Sequence, residues 1–109
     1  MKPRKYFNRK VTVDGITFDS QAEHRRWCEL QLLERAGHIQ RLERQLKIPL
    51  AVNGVKICTL IIDAAYFEGQ KRIYEDTKSR MTRKLPVWRI KAKLLKAIYP
   101  NVELREHVG

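Results

Sequence analysis

Apolar and polar positions alternate through "VTVDGITF", residues 11–18, on either side of Asp14-Gly15. Alternation sends successive side chains to opposite faces of a strand, and an Asp-Gly pair favours a two-residue hairpin turn. The spacing then changes. After "SQAE", Trp27, Leu30 and Leu33 recur at helical intervals, which predicts a helix from about Gln21 to Ala36. Ser20 is the N-cap candidate, Glu23 stands at the capping-box position, and Gly37 suits the residue just past the end.

Three strand-like runs follow. "LERQLKIPLAV" leads into Asn53-Gly54, a second hairpin signal. "VKICTLIIDAAYF" is long, apolar and β-branched, as a central strand is. "EGQ" turns it into "KRIYEDTK", so an antiparallel meander is expected. Beyond the basic loop "SRMTRKLP", a second helix is predicted from about Pro86 to Tyr99. Pro86 suits its first turn, and Trp88, Ala92, Leu95 and Tyr99 form its apolar face. "VELRE" reads as a last strand. The order is hairpin, helix, meander, helix, strand, an α+β (α/β) arrangement with helices against one mixed sheet. No repeat or linker divides the chain, so residues 11–109 are read as one domain behind a basic, flexible arm, residues 1–10.

Composition narrows the function. Lys and Arg number 23 against 12 Asp and Glu, for a net charge of +11 over 109 residues. That balance points to nucleic acid first and an acidic membrane second. No apolar run approaches the roughly 18 residues of a membrane span, and no apolar segment follows the basic N-terminus as in a signal peptide. Cys28 and Cys58 lack paired spacing, and with the three histidines they form no zinc pattern. Both are read as reduced thiols of a cytoplasmic protein.

Against this background the acids of "YEDTKSRMTRK" are out of place. A chain that binds a polyanion should not offer it Glu75 and Asp76. Asp76 and Lys78 share a strand face by alternation. Asp63 ends the apolar run "TLII", and counting back from the turn at Glu68-Gly69 brings it within a residue or two of Asp76. Buried carboxylates this close are costly unless paired or bridged by a cation, and magnesium prefers oxygen ligands. Glu23 lies on the same helix side as Trp27 and Leu30, toward the sheet. Plainer roles stand beside these: Glu23 as the capping-box acid, Asp63 paired with an Arg or Lys, and Asp76 with Lys78 as a cross-strand pair on a solvated face.

Asp63, then Asp76-Thr77-Lys78, with Glu23 on a preceding helix, resembles the signature of the PD-(D/E)XK nuclease superfamily. The text "FDSQAEHRRWCELQLLERAGHIQRLERQ" followed by "YEDTKS" is similar to a phage-associated branch related to phage endonucleases and Holliday-junction resolvases. The likeness runs from about Val11 to Glu106 and includes Gln45. It implies a restriction-endonuclease-like core and Mg2+- or Mn2+-dependent hydrolysis of phosphodiesters. It implies that Asp63 and Asp76 ligate the metal, that Glu23 holds a second ion or a metal-bound water, and that Lys78 orients the attacking water. Three positions depart from the pattern. Ile62 stands where the superfamily's name has proline, Ala64 where this branch has an aromatic, and Ser79 where glycine often follows the lysine.

Gln45, Glu75 and Lys91 are accessory candidates. Gln45 could hydrogen-bond near the site, Glu75 could support it from the opposite strand face, and Lys91 could reach in or lie over Trp88. Nucleic-acid contacts are expected from Arg4, Lys5, Arg9 and Lys10 in the arm. Arg80, Arg83 and Lys84 would add contacts after the acids, and Arg89, Lys93 and Lys96 on the second helix. The expected partner is branched or duplex DNA, with no membrane. Cutting two strands calls for two sites, hence a homodimer. The resemblance implies a chain encoded by a phage or prophage and acting in the cytoplasm of a bacterial host. The competing reading is a non-catalytic basic module whose acids are structural.

Overall fold

Both hairpin turns form where the sequence places them. Asp14 and Gly15 have φ of +52° and +77°, and Asn53 and Gly54 have +51° and +79°. Two consecutive residues with positive φ make the turn whose twist matches paired strands, and Asp, Asn and Gly tolerate it best. The first turn joins β1 (Val11–Val13) to β2 (Ile16–Phe18) in a separate two-stranded sheet. The second joins β3 (Gln40–Val52) to β4 (Val55–Glu68). The chain is described here from a computed structural model, for residues 10–78 and 85–108. Of the expected basic arm only Lys10 belongs to them; Arg4, Lys5, Arg9, Arg80, Arg83, Lys84 and Ser79 lie outside the described residues.

Helix α1 spans Gln21–Arg35. Ser20 Oγ accepts the Glu23 N–H at 3.1 Å, the N-cap bond expected from the sequence. The reciprocal bond is displaced by one residue: Glu23 Oε2 accepts from the Asp19 N–H at 3.3 Å, not from Ser20. At the other end Gly37, φ +84°, donates to the Glu34 carbonyl, and His38 donates to the Leu33 carbonyl, both at 3.0 Å. These two bonds satisfy carbonyls that the helix itself leaves open. Ser20→Ala is expected to cost about 1 kcal/mol. In a domain of this size that lowers the thermal midpoint by about 4–8 °C, which calorimetry can check.

The main sheet has the order β3-β4-β5-β6. Strand β5 is Lys71–Lys78, helix α2 is Pro86–Ile98 and β6 is Val102–Val108. The first three strands are the expected antiparallel meander, and β6 joins β5 in parallel after passing through α2. The sheet is therefore mixed and the fold is α+β, with two helices among the described residues. Each helix covers its own apolar cluster. Under α2, Trp88 and Leu95 pack with Ile48, Leu50, Leu60 and Ile62. Under α1, Leu30 packs with Ile39, Ala64, Tyr66 and Ile73. Fully burying one such side chain contributes about 1.5–3 kcal/mol. Trp88 Nε1–H also donates to Glu106 Oε1 at 2.5 Å, tying α2 to β6. No described helix is long and apolar enough to cross a membrane.

Candidate acidic cleft between strands β4 and β5

Strands β4 and β5 pair from Glu68↔Lys71 to Ala64↔Glu75, and there the ladder stops. The next residues in that register are Asp63 and Asp76. Their carboxylates take over the hydrogen bonds that the ladder no longer makes. The Asp63 N–H donates to Asp76 Oδ1 at 3.1 Å, and the Thr77 N–H donates to Asp63 Oδ2 at 2.8 Å. The two acids are interlocked across the strands, each holding the other strand's backbone. Asp76 is fully buried. An exposed Asp76–Lys78 pair on a solvated face is thereby excluded as the role of Asp76. The side chain of Lys78 lies outside what is described, and its backbone is the last residue of β5.

Burial and crowding show in the titration of Asp63. Burial pushes the Asp63 carboxyl up to about 8, and its hydrogen bond to Asp76 and the charges of Asp76 and Glu23 add to the rise. The Thr77 N–H opposes it. Among the described side chains no arginine or lysine pairs with Asp63. Among the described residues, then, the partner of Asp63 is an acid and not the cation that the sequence allowed.

Glu23 sits at the same cleft, which Asp63, Thr77 and Arg44 also line. It is buried, and both of its oxygens are engaged. Oε2 serves the helix start. Oε1 faces β3, with Gln45 Nε2 at 3.4 Å and Arg44 Nη2 at 3.7 Å. Burial raises its pKa, as do the charges of Asp19 and Asp76, while the Asp19 N–H and Arg44 lower it. The capping role and the cleft-facing role thus coexist in one side chain. Among the described residues no three His, Cys, Asp or Glu side chains come together as a metal-ligand group. The close pair is Asp63 with Asp76, and Glu23 stands back from it.

The donor chemistry of that pair fits a hard divalent ion. Magnesium is held by one or two carboxylates, keeping waters and substrate oxygens for its other positions. Two adjacent carboxylates, Asp76 buried and Asp63 half-buried, with a third acid nearby, meet that requirement.

The accessory candidates separate. Gln45 reaches Glu23 as a hydrogen-bond donor. Lys91 does not approach the acids: its Nζ donates to the Thr59 carbonyl at 3.2 Å, earlier on β4. Glu75 is more than a minor strand residue. It is buried, accepts two bonds from Arg26 at 2.7 and 2.9 Å, and accepts the Tyr66 hydroxyl at 2.8 Å. This network fastens α1 to β5, and with it the position of Glu23 relative to Asp76. Arg26 and Arg44 were not singled out by the sequence. Arg26 falls on the Glu23–Leu30 side of α1, which was the available signal; Arg44 had none beyond lying next to Gln45. Lys10, Arg89, Lys93 and Lys96 are exposed cations.

No curated protein and no solved structure matches the chain. A family model described as "Protein of unknown function (DUF1064)" matches residues 3–108, and the chain belongs to that family.

Proposed function

We propose that this protein is a metal-dependent endonuclease of the PD-(D/E)XK type that hydrolyses DNA phosphodiesters, selecting branched structures such as four-way junctions. The observation that carries this reading is the interlocked Asp63–Asp76 pair, half-buried and buried respectively, at the end of a strand ladder in a chain of net charge +11. Two carboxylates set side by side repel each other and are a poor way to stabilise a fold. They are a good way to hold Mg2+ or Mn2+ beside a phosphate.

Asp63 and Asp76 would hold the ion, with Glu23 as a more distant acid on the same cleft. When bound, such an ion lowers the pKa of water and neutralises charge on the phosphate. The chain's own residues supply the rest. The Thr77 and Asp63 N–H groups fix the orientation of the two carboxylates. Arg26, Tyr66 and Glu75 hold α1 in place. Lys78, at the end of β5, is assigned to orient the attacking water and to stabilise negative charge in the transition state. In the reaction the water oxygen bonds to phosphorus and the bond from phosphorus to one sugar oxygen breaks; the attacking water gives up a proton to solvent, and the departing sugar oxygen takes one up from solvent to leave as a hydroxyl. Lys10, Arg89, Lys93 and Lys96 bind the flanking phosphates. We assign the active unit as a homodimer, so that both strands of a junction are cut, acting in phage or prophage recombination in the bacterial cytoplasm.

The deciding experiment incubates the protein with four-way, flap, single-stranded and linear DNA, and with RNA, in Mg2+ or in EDTA. Cleavage of branched DNA in Mg2+ alone is expected. Tight binding with no cleavage of any substrate in Mg2+ or Mn2+ would identify a basic binding module instead.

A further inference from the structure

We infer that Arg44 grips the phosphate at the point of cleavage, an assignment that rests on the hydrolase reading above. Consecutive side chains of a regular strand leave from opposite faces. Arg44 and Gln45 do not: both approach the same oxygen of Glu23, at 3.7 and 3.4 Å. The cause is the backbone of Gln45, whose φ of +56° lies in the left-handed region that non-glycine residues seldom occupy. Gln45 stands between the pairs Arg44↔Ala64 and Leu46↔Ile62, which places it across from Asp63. Strain of this kind costs about 1–3 kcal/mol and gathers at functional sites. Here it turns two neighbouring polar side chains toward one acid, beside the Asp63–Asp76 pair.

The Arg44 guanidinium is held in advance of any ligand. Nη2 donates to the Thr17 carbonyl at 2.8 Å, and the group lies 4.4 Å from the centroid of the Phe18 ring. The short hairpin β1–β2 and its end at Phe18 thereby act on the cleft. The other arginine of the cleft, Arg26, is neutralised by its two bonds to Glu75. Arg44 makes no hydrogen bond to a carboxylate, since its nearest acid oxygen is 3.7 Å away, and its buried Nε–H has no partner. The cleft wall therefore carries a fixed positive charge with open donor capacity, one residue along β3 from the position facing Asp63. A guanidinium fork matches two oxygens of a phosphate. The non-bridging oxygens of the phosphodiester being cut are the ligand that satisfies it, and Arg44 offsets the charge that builds on them.

Arg44→Ala and Arg44→Lys separate this role from a structural one. Each is assayed on four-way-junction DNA for cleavage in Mg2+ and for binding in EDTA over a range of salt. Cleavage by Arg44→Ala is expected to fall about 10²-fold. Its log–log salt slope of binding should weaken by about 0.9, the share of one phosphate. Arg44→Lys keeps the charge, so it should restore the slope but only part of the rate. Parent-like cleavage by Arg44→Ala overturns the assignment and leaves the hydrolase reading standing. Should the parent cut nothing, the hydrolase reading fails, and an unchanged slope in Arg44→Ala then overturns the phosphate contact as well. Should Arg44→Ala not fold by circular dichroism, Arg44→Lys decides alone, and full cleavage by it overturns the role of the fork.

Discussion

Asp76→Asn is expected to lower the rate of DNA cleavage by about 10²–10³ while leaving DNA binding within a factor of two or so. The substitution keeps the size of the side chain and an oxygen that can still accept the Asp63 N–H, so the strand junction is retained. What it removes is one of the two negative charges that would hold the ion. In the proposed function binding would rest on other groups: the exposed cations Lys10, Arg89, Lys93 and Lys96 are unchanged. Single-turnover cleavage of a four-way junction measures the first effect, and fluorescence anisotropy of the same DNA in EDTA measures the second. A variant that cuts as fast as its parent would remove the acid pair from the mechanism. Joint loss of cleavage and binding would point to damage to the fold, which the thermal midpoint reports directly.

In the absence of divalent cations, the protein should become less stable as pH rises from about 5 toward 8. The sign follows from Asp63. Its carboxyl is raised from an ordinary value of 3.8 to about 8, so the folded state holds this proton more tightly than the unfolded chain does. A group raised on folding contributes stability fully below its unfolded pKa and loses it as pH climbs through the folded one. Glu23 is raised as well and acts in the same direction. Surface acids such as Glu68 and Glu103 are lowered by Arg105 and by Lys71, so they act oppositely, but only at acidic pH. Above pH 5 the raised acids of the described residues remain, Asp63 and with it Glu23. Each kcal/mol lost moves the midpoint by about 4–8 °C in a domain of this size. Asp63→Asn should flatten the curve between pH 5 and 8, and a slope equal to the parent's would show that another group titrates there. Millimolar Mg2+ or Mn2+ should raise the parent's midpoint more at pH 8 than at pH 5, because binding to the folded state alone stabilises it by mass action. The same addition should leave the midpoint of Asp63→Asn nearly unmoved.

Much of this molecule is local, and the local part was legible. Turn residues that accept positive φ, the switch from alternating to helical spacing, and a Ser cap followed by Glu23 encode the element order directly, because each depends on neighbours a few positions away. The same logic brought Asp63 to within a residue or two of Asp76, because one short turn at Glu68-Gly69 sets the register for the whole β4–β5 pair. What the chain could not announce are choices made by distant partners. Glu75 differs from Asp76 by one step along β5, yet it is taken by Arg26, and only the docking of α1 on the sheet brings those residues together. Arg44 and Gln45 should by strand alternation face opposite ways. The positive φ of Gln45, sustained by the surrounding sheet, turns both toward Glu23. The sequence by itself determined which side chains could form an acidic site. The tertiary structure decided which oxygens meet and which cations stand by them, because pairing across twenty to fifty residues is set by register and packing, not by spacing along the chain.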